Sequence, residues 1–375
     1  MLEESIRFTS SEDVFYNPNM RFCRSMASLA VGAIGGKIDV VDAFCASGIR
    51  GIRYAKENKN VQSLTFIDIE KKAISLARKN AKANKLKADG AVANISKAAF
   101  EHSADLLEID PFGTPSPYLI DGFRFFNTKK KAYLSATATD VAVLCGGKIA
   151  PCMKNYHAKP LNNDFTHETG LRILIKRIAE VAAEFNMGMK PLVSFSDRHY
   201  LKVVAEVSRS ADLAYDAMKS IGHVWSCPSC GARGFGDFPE KTCSNCAPKT
   251  PNPEPKTPGP ERGTDWAGPL WLGELHDKAF LKKMSALNNK RGYADREDIS
   301  AMLSAMEGEV GMPPFFYNVH ALCKMAKTGA VAPLAEIMDS IRASGHRVSR
   351  THFSPIGIKT DAPYKTIVEA IRWKG

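Results

Sequence analysis

Val40-Val41-Asp42-Ala43-Phe44-Cys45-Ala46-Ser47-Gly48-Ile49-Arg50-Gly51 begins as an apolar run, passes through a cluster of small residues and continues with helical spacing. That order reads as a β-strand feeding through a tight turn into an α-helix. Small side chains let the backbone approach a ligand closely, so Asp42, Ser47, Gly48 and Arg50 are candidates to hold a nucleotide cofactor. A dinucleotide turn would usually read G-x-G-x-x-G, and here only Gly48 and Gly51 keep glycine. A plain strand-to-helix turn has the same composition, so the loop needs support from its surroundings.

Outward from this loop, residues 37–209 alternate short β-rich runs with helical segments, the pattern of a mainly parallel sheet covered by helices. Strands are expected at 38–44, 63–69, 90–94, 104–110, 132–139, 191–196 and 200–207. Over 71–85, Ala73, Ile74, Ala77 and Ala81 recur at helical spacing among lysines, which predicts a surface helix. Only Asp197-Arg198-His199 separates the last two strands, too short for a parallel crossover, so they should pair as an antiparallel hairpin. A parallel sheet closed by such a hairpin distinguishes the class I, Rossmann-like methyltransferase sheet from most dehydrogenase sheets. The fold class expected is therefore α/β, with a C-terminal α+β domain carrying a zinc ribbon.

Asp68 ends the second of these strands, about 20 residues beyond the glycines, where a carboxylate accepts two hydrogen bonds from a ribose diol. Capping the helix that starts near Lys71 is its lesser alternative role. The end of the third strand, Asn94-Ile95, is placed by strand order to flank an adenine ring.

The fourth strand runs directly into Asp110-Pro111-Phe112-Gly113. In open parallel sheets, reacting groups sit beyond the carboxyl ends of the strands. An exocyclic amine on a base is a weak nucleophile, and catalysis needs acceptors that hold its N–H groups and aim the lone pair. The Asp110 carboxylate and the Pro111 carbonyl supply two, while Phe112 offers a face for a flipped base. A proline-rich turn capped by Asp110 is the plainer alternative. Carbon methylation would call for a cysteine nucleophile, and none lies in the loop.

The 375 residues carry a formal charge of +11, which favours an acidic partner, nucleic acid before membrane. No basic start, apolar leader or bilayer-length run is apparent, so a cytoplasmic setting without membrane attachment is expected, and no obligate protein partner is evident. The stretch 156–169 is polar and suits a substrate-facing loop or an ordinary surface excursion. Cys227-Pro228-Ser229-Cys230 and Cys243-Ser244-Asn245-Cys246 form two C-x-x-C pairs with twelve residues between them, the spacing of a closed Zn(2+) site. Residues 248–262 are proline-rich and read as a linker. Helices are expected at 272–287, 296–306, 317–326 and 334–344 and a strand at 348–353, a run that could be winged-helix-like. The division expected is 1–222 for the methyltransferase domain and 223–375 for a C-terminal nucleic-acid-binding domain, its zinc ribbon at 224–248.

Taken together with Val14-Phe15-Tyr16-Asn17-Pro18-Asn19-Met20, residues 46–53, Asp110–Pro115, Thr137-Ala138-Thr139-Asp140 and residues 350–360, the chain resembles the archaeal tRNA (guanine-26-N2) dimethyltransferase family over nearly its whole length. The resemblance implies S-adenosyl-L-methionine as methyl donor and transfer of two methyl groups to N2 of a tRNA guanine. It also implies that Arg24 contacts the cofactor, that Asp68 binds its ribose and that Asp110 is catalytic. The family commonly has Asn-Arg-Asp where this chain has Cys23-Arg24-Ser25, and serine in place of Thr114. Two other readings stay open on the residues alone. One is a DNA amino-methyltransferase acting on adenine N6 or cytosine N4; the other is a zinc-ribbon RNA-binding protein without catalysis.

Overall fold

The computed structural model describes residues 1–246, 263–328 and 332–372. The expected linker at 248–262 and the last two residues of the expected ribbon lie outside the described residues. The chain forms two compact units assembled from interleaved stretches, where the sequence suggests a single cut after residue 222. The first unit comprises 1–140, 177–218 and 275–307; the second comprises 141–176, 219–274 and 308–375.

The first unit is built on a seven-stranded sheet. In chain order its elements are α1 (Arg21–Ala33), β1 (Ile38–Ala43), α2 (Ile49–Glu57), β2 (Val61–Asp68), α3 (Lys71–Ala83), β3 (Asp89–Val92), α4 (Ile95–Glu101), β4 (Leu106–Ile109), α5 (Leu119–Arg124) and β5 (Lys131–Ala138), followed after α6 (Thr166–Glu184) by β6 (Met187–Asp197) and β7 (Tyr200–Arg209). The spatial order is β3-β2-β1-β4-β5-β7-β6. The first five strands are parallel, and β7 runs antiparallel to both its neighbours, which is the expected hairpin closing a mixed sheet. The central strands are buried on both faces, with Asp42 and Glu108 carried inside among the apolar residues. On α3, Ala73, Ile74, Ala77 and Ala81 face inward and the lysines outward. Strand β3 stops at Val92, short of the expected 94, because the Asn94 side chain accepts the Lys97 N–H at 2.8 Å and starts α4.

In the second unit, β8 (Ile221–Ser226) pairs antiparallel with β9 (Arg233–Gly236) and β10 (Asp265–Trp271). The helix expected from 272 begins at Lys278 as α7 (Lys278–Lys290), in the first unit, because Asp277 accepts the Phe280 N–H at 2.8 Å and caps it. Helix α8 (Arg296–Glu309) follows, then β11 (Tyr317–Asn318), α9 (Val319–Met325), α10 (Leu334–Ala343), β12 (Val348–Thr351), β13 (Ser354–Thr360) and α11 (Tyr364–Ile371). What reads as one strand at 348–353 is thus an antiparallel hairpin of β12 and β13, with β11 added on the other side of β13. Leu322, Ile337, Ile341, Ile358, Ile367 and Ile371 form the core beneath these helices. Much of the polar stretch 156–169 leads into the long helix α6, and Glu168 within it is fully buried. Among the described residues no helix is long and apolar enough to cross a membrane.

Candidate active site

A cavity of about 310 Å³ opens in the first unit at the carboxyl ends of β1, β2 and β4. It is lined by Arg24, Asp42, Ser47, Arg50, Asp68, Asp110, Pro111 and Phe112, all anticipated from sequence, and also by Phe15, Tyr16, Asn17, Phe44, Ile69, Glu70 and Thr139. Asn94 and Ile95 are not among the lining residues; Asn94 is committed to capping α4 and Ile95 is buried.

The loop after β1 has an unusual backbone. Phe44 and Ala46 adopt positive φ, 63° and 45°, and Gly48 follows at 75° as the residue that begins α2. Left-handed conformation at non-glycine residues costs on the order of 1–3 kcal/mol each and is concentrated at functional sites. A Cβ on Gly48 would come within 2.7 Å of the Ala77 Cβ, so glycine is required there for close packing as well as for φ. Asp68 fixes the loop's far side. Its Oδ2 accepts the Ala46 N–H and its Oδ1 the Glu70 N–H, both at 3.0 Å. Glu70, not Asp68, occupies the cap position of α3. Each oxygen of Asp68 keeps a lone pair free for a ligand hydroxyl.

Asp42 is 2% exposed and accepts the Gly51 N–H at 2.9 Å. Burial, reinforced by the nearby charge of Glu108, pushes its carboxyl up to about 7. Arg24 forms a two-point ion pair with Glu3, donates from Nη2 to the Asn17 carbonyl at 3.1 Å and lies 5.2 Å from the centre of the Tyr16 ring.

Asp110 faces the cavity with its side chain 22% exposed and is paired with the buried Arg50 guanidinium. Burial alone would raise its carboxyl, but the positive charges of Arg50 and Lys202 outweigh that and hold it below the ordinary range. The next residues are fixed to the neighbouring strand: the Gly113 N–H donates to Thr139 Oγ1 at 2.8 Å and the Thr139 N–H to the Gly113 carbonyl at 2.9 Å. Gly113 takes φ 78°, a turn that lifts Phe112 into solvent at 76% exposure. There its ring meets Phe15 edge to face, with centroids 4.6 Å apart. Large exposed aromatics held against each other at a cavity mouth are poorly explained by packing and suit a flat ligand.

Sequence reasoning missed Glu108, Lys202, Thr137 and Tyr54 beneath this loop. Glu108 is fully buried and accepts from Lys202 Nζ at 2.5 Å and from the Tyr54 hydroxyl at 2.7 Å. The sequence carries only a faint signal of them in Lys202, a lysine between Leu201 and the apolar Val203–Ala205.

In the second unit, the four anticipated cysteines Cys227, Cys230, Cys243 and Cys246 converge, every sulfur within 4.8 Å of the others. Cys227 Sγ stands 3.8 Å from Cys246 Sγ, and Cys230 Sγ 3.7 Å from Cys243 Sγ. These separations are too long for disulfides. They match the edge of a tetrahedron with bonds of about 2.3 Å to a central zinc, about 3.8 Å.

A family model described as N2,N2-dimethylguanosine tRNA methyltransferase matches residues 1–372. The chain belongs to this family. It is 34% identical to the tRNA (guanine(26)-N(2))-dimethyltransferase of Methanothermobacter thermautotrophicus, covering 96% of this chain and 92% of that protein. Its counterpart in Pyrococcus abyssi is 30% identical, with coverage of 96% and 92%. The structure of Trm1 from Pyrococcus horikoshii in complex with S-adenosyl-L-methionine superposes with a TM-score of 0.86 at 27% identity, covering 100% of this chain and 99% of that one.

Within this dimethylguanosine methyltransferase family, the departures noted at Cys23 and Ser25 have definite surroundings. Cys23 Sγ lies 3.7 Å from Arg50 Nη1, and the Ser25 hydroxyl accepts from Arg53 at 3.0 Å. Arg24 between them takes its support from Glu3 and Asn17.

Proposed function

We propose that this chain is a tRNA guanine-N2 dimethyltransferase, acting at position 26, and that the cavity holding Asp68 and Asp110 is where cofactor and base meet. The single observation that carries this reading is the placement of Asp110, Pro111 and the exposed Phe112 at the rim of the same cavity that contains Asp68. Family membership and the methyltransferase names of the relatives support the substrate and the methyl donor.

S-adenosylmethionine supplies an electrophilic methyl group on a sulfonium. Asp68 would receive the ribose hydroxyls on the lone pairs its backbone contacts leave free. Arg24 commits Nε and Nη2 to Glu3 and Asn17, which leaves Nη1 for the methionine carboxylate. Asp42, Ser47, Gly48 and Arg50 shape the loop on which the cofactor rests, Asp42 by fixing the first turn of α2. Asn94 and Ile95 would serve an adenine ring only from outside the cavity lining.

On the substrate side, Phe112 would stack on the extruded guanine, which is worth roughly 1–3 kcal/mol per base. The Asp110 carboxylate and Pro111 carbonyl would accept the N–H groups of N2 and turn its lone pair toward the methyl carbon. As the N–C bond forms and the S–C bond breaks, the nitrogen becomes cationic and loses a proton to the carboxylate or to solvent. A monomethylated N2 still has one N–H for Asp110, so a second round needs no new group.

The Cys227, Cys230, Cys243 and Cys246 cluster would hold a structural Zn(2+), and residues 223–375 would contribute to tRNA binding, the basic charge of the chain suiting a phosphate backbone. Metal analysis should find one zinc per chain that is absent from Cys227→Ser/Cys230→Ser, with a lower Tm in that variant; a metal-free wild type of unchanged Tm contradicts the zinc. The substrate reading is tested by tritium transfer to tRNA transcripts carrying guanine or adenine at position 26. Transfer should follow the guanine, and equal labelling of both transcripts contradicts the reading.

A further inference from the structure

Asp110 does not stand alone with Arg50. It stands at the edge of a network of polar groups drawn from four elements of the first unit. Arg50 of α2 pairs with Asp110, and its Nε lies 3.8 Å from Glu108 Oε1. Glu108, on β4 two residues before Asp110, accepts from Lys202 Nζ at 2.5 Å. Lys202 of β7 also donates to Thr137 Oγ1 of β5 at 2.9 Å. Lys202, Glu108 and Thr137 have no solvent exposure, so no member can be replaced by water without rearrangement.

Strand register makes the network possible. Lys202 lies opposite Thr137 in the β5–β7 pairing, and Glu108 opposite Ser135 in the β4–β5 pairing. An antiparallel strand inserted beside β5 is therefore what delivers an ammonium under the end of β4. Thr137 holds that ammonium against Glu108, and Glu108 so neutralised does not compete with Asp110 for the Arg50 guanidinium that lies beside both.

We propose that Lys202 and Thr137 are positioning residues for methyl transfer, fixing the orientation of the Asp110 carboxylate and keeping it an acceptor toward the amine of the base. The inference rests on the role given to Asp110 above. A protonated Asp110 would donate toward N2 instead of accepting from it, so the charge state matters as much as the direction. The positive groups that face Asp110 are Arg50 and Lys202; Cys23 of α1, Asp42 of β1, Tyr54 of α2 and Glu108 of β4 surround the same cluster. Arg50 and Lys202 lower the Asp110 carboxyl while burial opposes them. Loss of the ammonium should move the balance back toward burial.

The test compares Lys202→Met, Lys202→Arg and Thr137→Val with wild type in the pH dependence of kcat/KM for tRNA. Lys202→Met should shift the acid limb upward by roughly one pH unit or more, the scale for losing an opposite charge near a carboxylate. Lys202→Arg should leave the limb in place, and Thr137→Val should shift it less while lowering kcat. Binding of S-adenosylmethionine by calorimetry should be unchanged in each. A uniform loss of activity with an unmoved acid limb in both Lys202→Met and Thr137→Val overturns the proposal, as does a limb moved equally by Lys202→Arg. If Lys202→Met does not fold, Thr137→Val decides. The Asp110 carboxyl can also be titrated directly by carbon NMR, assigned with Asp110→Asn. A wild type without transfer would then refute the functional reading, whereas an Asp110 titration unmoved in both Lys202→Met and Thr137→Val would refute the positioning role.

Discussion

Two buried glutamates, one in each unit, are surrounded by the same kinds of partners and do different things. Glu108 meets Lys202, Tyr54 and Arg50, and its cluster opens onto the cavity through Asp110. Glu168 is held by Lys359 at 2.8 Å, Arg172 Nε at 2.9 Å and the backbone N–H groups of Phe315 and Phe316 at 2.9 and 3.1 Å. Arg172 continues to the carbonyls of Trp271 and Gly273, both at 2.9 Å. The second cluster lines no cavity described above. It joins α6, the end of β10, the approach to β11 and strand β13, stretches that are distant in sequence and belong to one unit. A buried ion cluster is thus a fastening in one place and, on the role proposed for Asp110, the base of a reactive carboxylate in the other, and the difference lies in whether a member of it reaches solvent.

That contrast can be broken by substitution. Lys359→Met should be the most damaging to stability, because it leaves Glu168 short of a charge; breaking a buried pair costs about 3–5 kcal/mol. Urea unfolding measures it, and the folded fraction should keep the wild-type acid limb in its pH profile. Asp110→Ala should act the other way round. Transfer should fall on the order of 10²–10³-fold, as when a preorganised transition-state hydrogen bond is removed, while S-adenosylmethionine binding stays near wild type and Tm falls less than in Lys359→Met, because Glu108 remains beside Arg50. Steady-state kinetics with calorimetry separates the two.

A smaller effect should come from Asp42→Asn. The Asp42 carboxyl is raised in the folded protein to about 7 from 3.8. The folded state therefore binds more protons than the unfolded state between these values, and the group's contribution to stability is complete below about 3.8 and lost as pH rises through about 7. The asparagine cannot titrate and can still accept the Gly51 N–H. Unfolding free energy, taken as the difference between wild type and Asp42→Asn, should fall with rising pH across that window; a flat difference contradicts the assignment.

The cavity-lining face was legible because its signals are local. Small residues after an apolar strand, an acid at the end of the next, and Asp-Pro-Phe-Gly after the fourth each carry their meaning within a few positions. Glu108 and Lys202 were not legible, since an isolated charge in a strand normally marks a solvent-facing position and only the register of β4, β5 and β7 turns both inward. Glu168 was hidden by the same cause: it sits in a polar stretch that reads as a loop, whereas α6 carries it into the core. Lys359 lies within the 350–360 segment that helped establish the family resemblance, so part of that signature reports a fastening and not chemistry. The sheet of β8, β9 and β10 was missed because its strands are short and separated by the cysteine pairs. Asn94 was misjudged by two residues, enough to exchange a ligand contact for a helix cap.

The central claim is that the Asp110 rim methylates guanine N2, and nucleoside analysis of the product tests it most directly. Unmodified tRNA incubated with the protein and S-adenosylmethionine, then digested and resolved by mass spectrometry, should yield N2-methylguanosine followed by N2,N2-dimethylguanosine, and neither with Asp110→Ala. Methyl groups recovered on adenine or cytosine, or dimethylguanosine formed undiminished by Asp110→Ala, would contradict it.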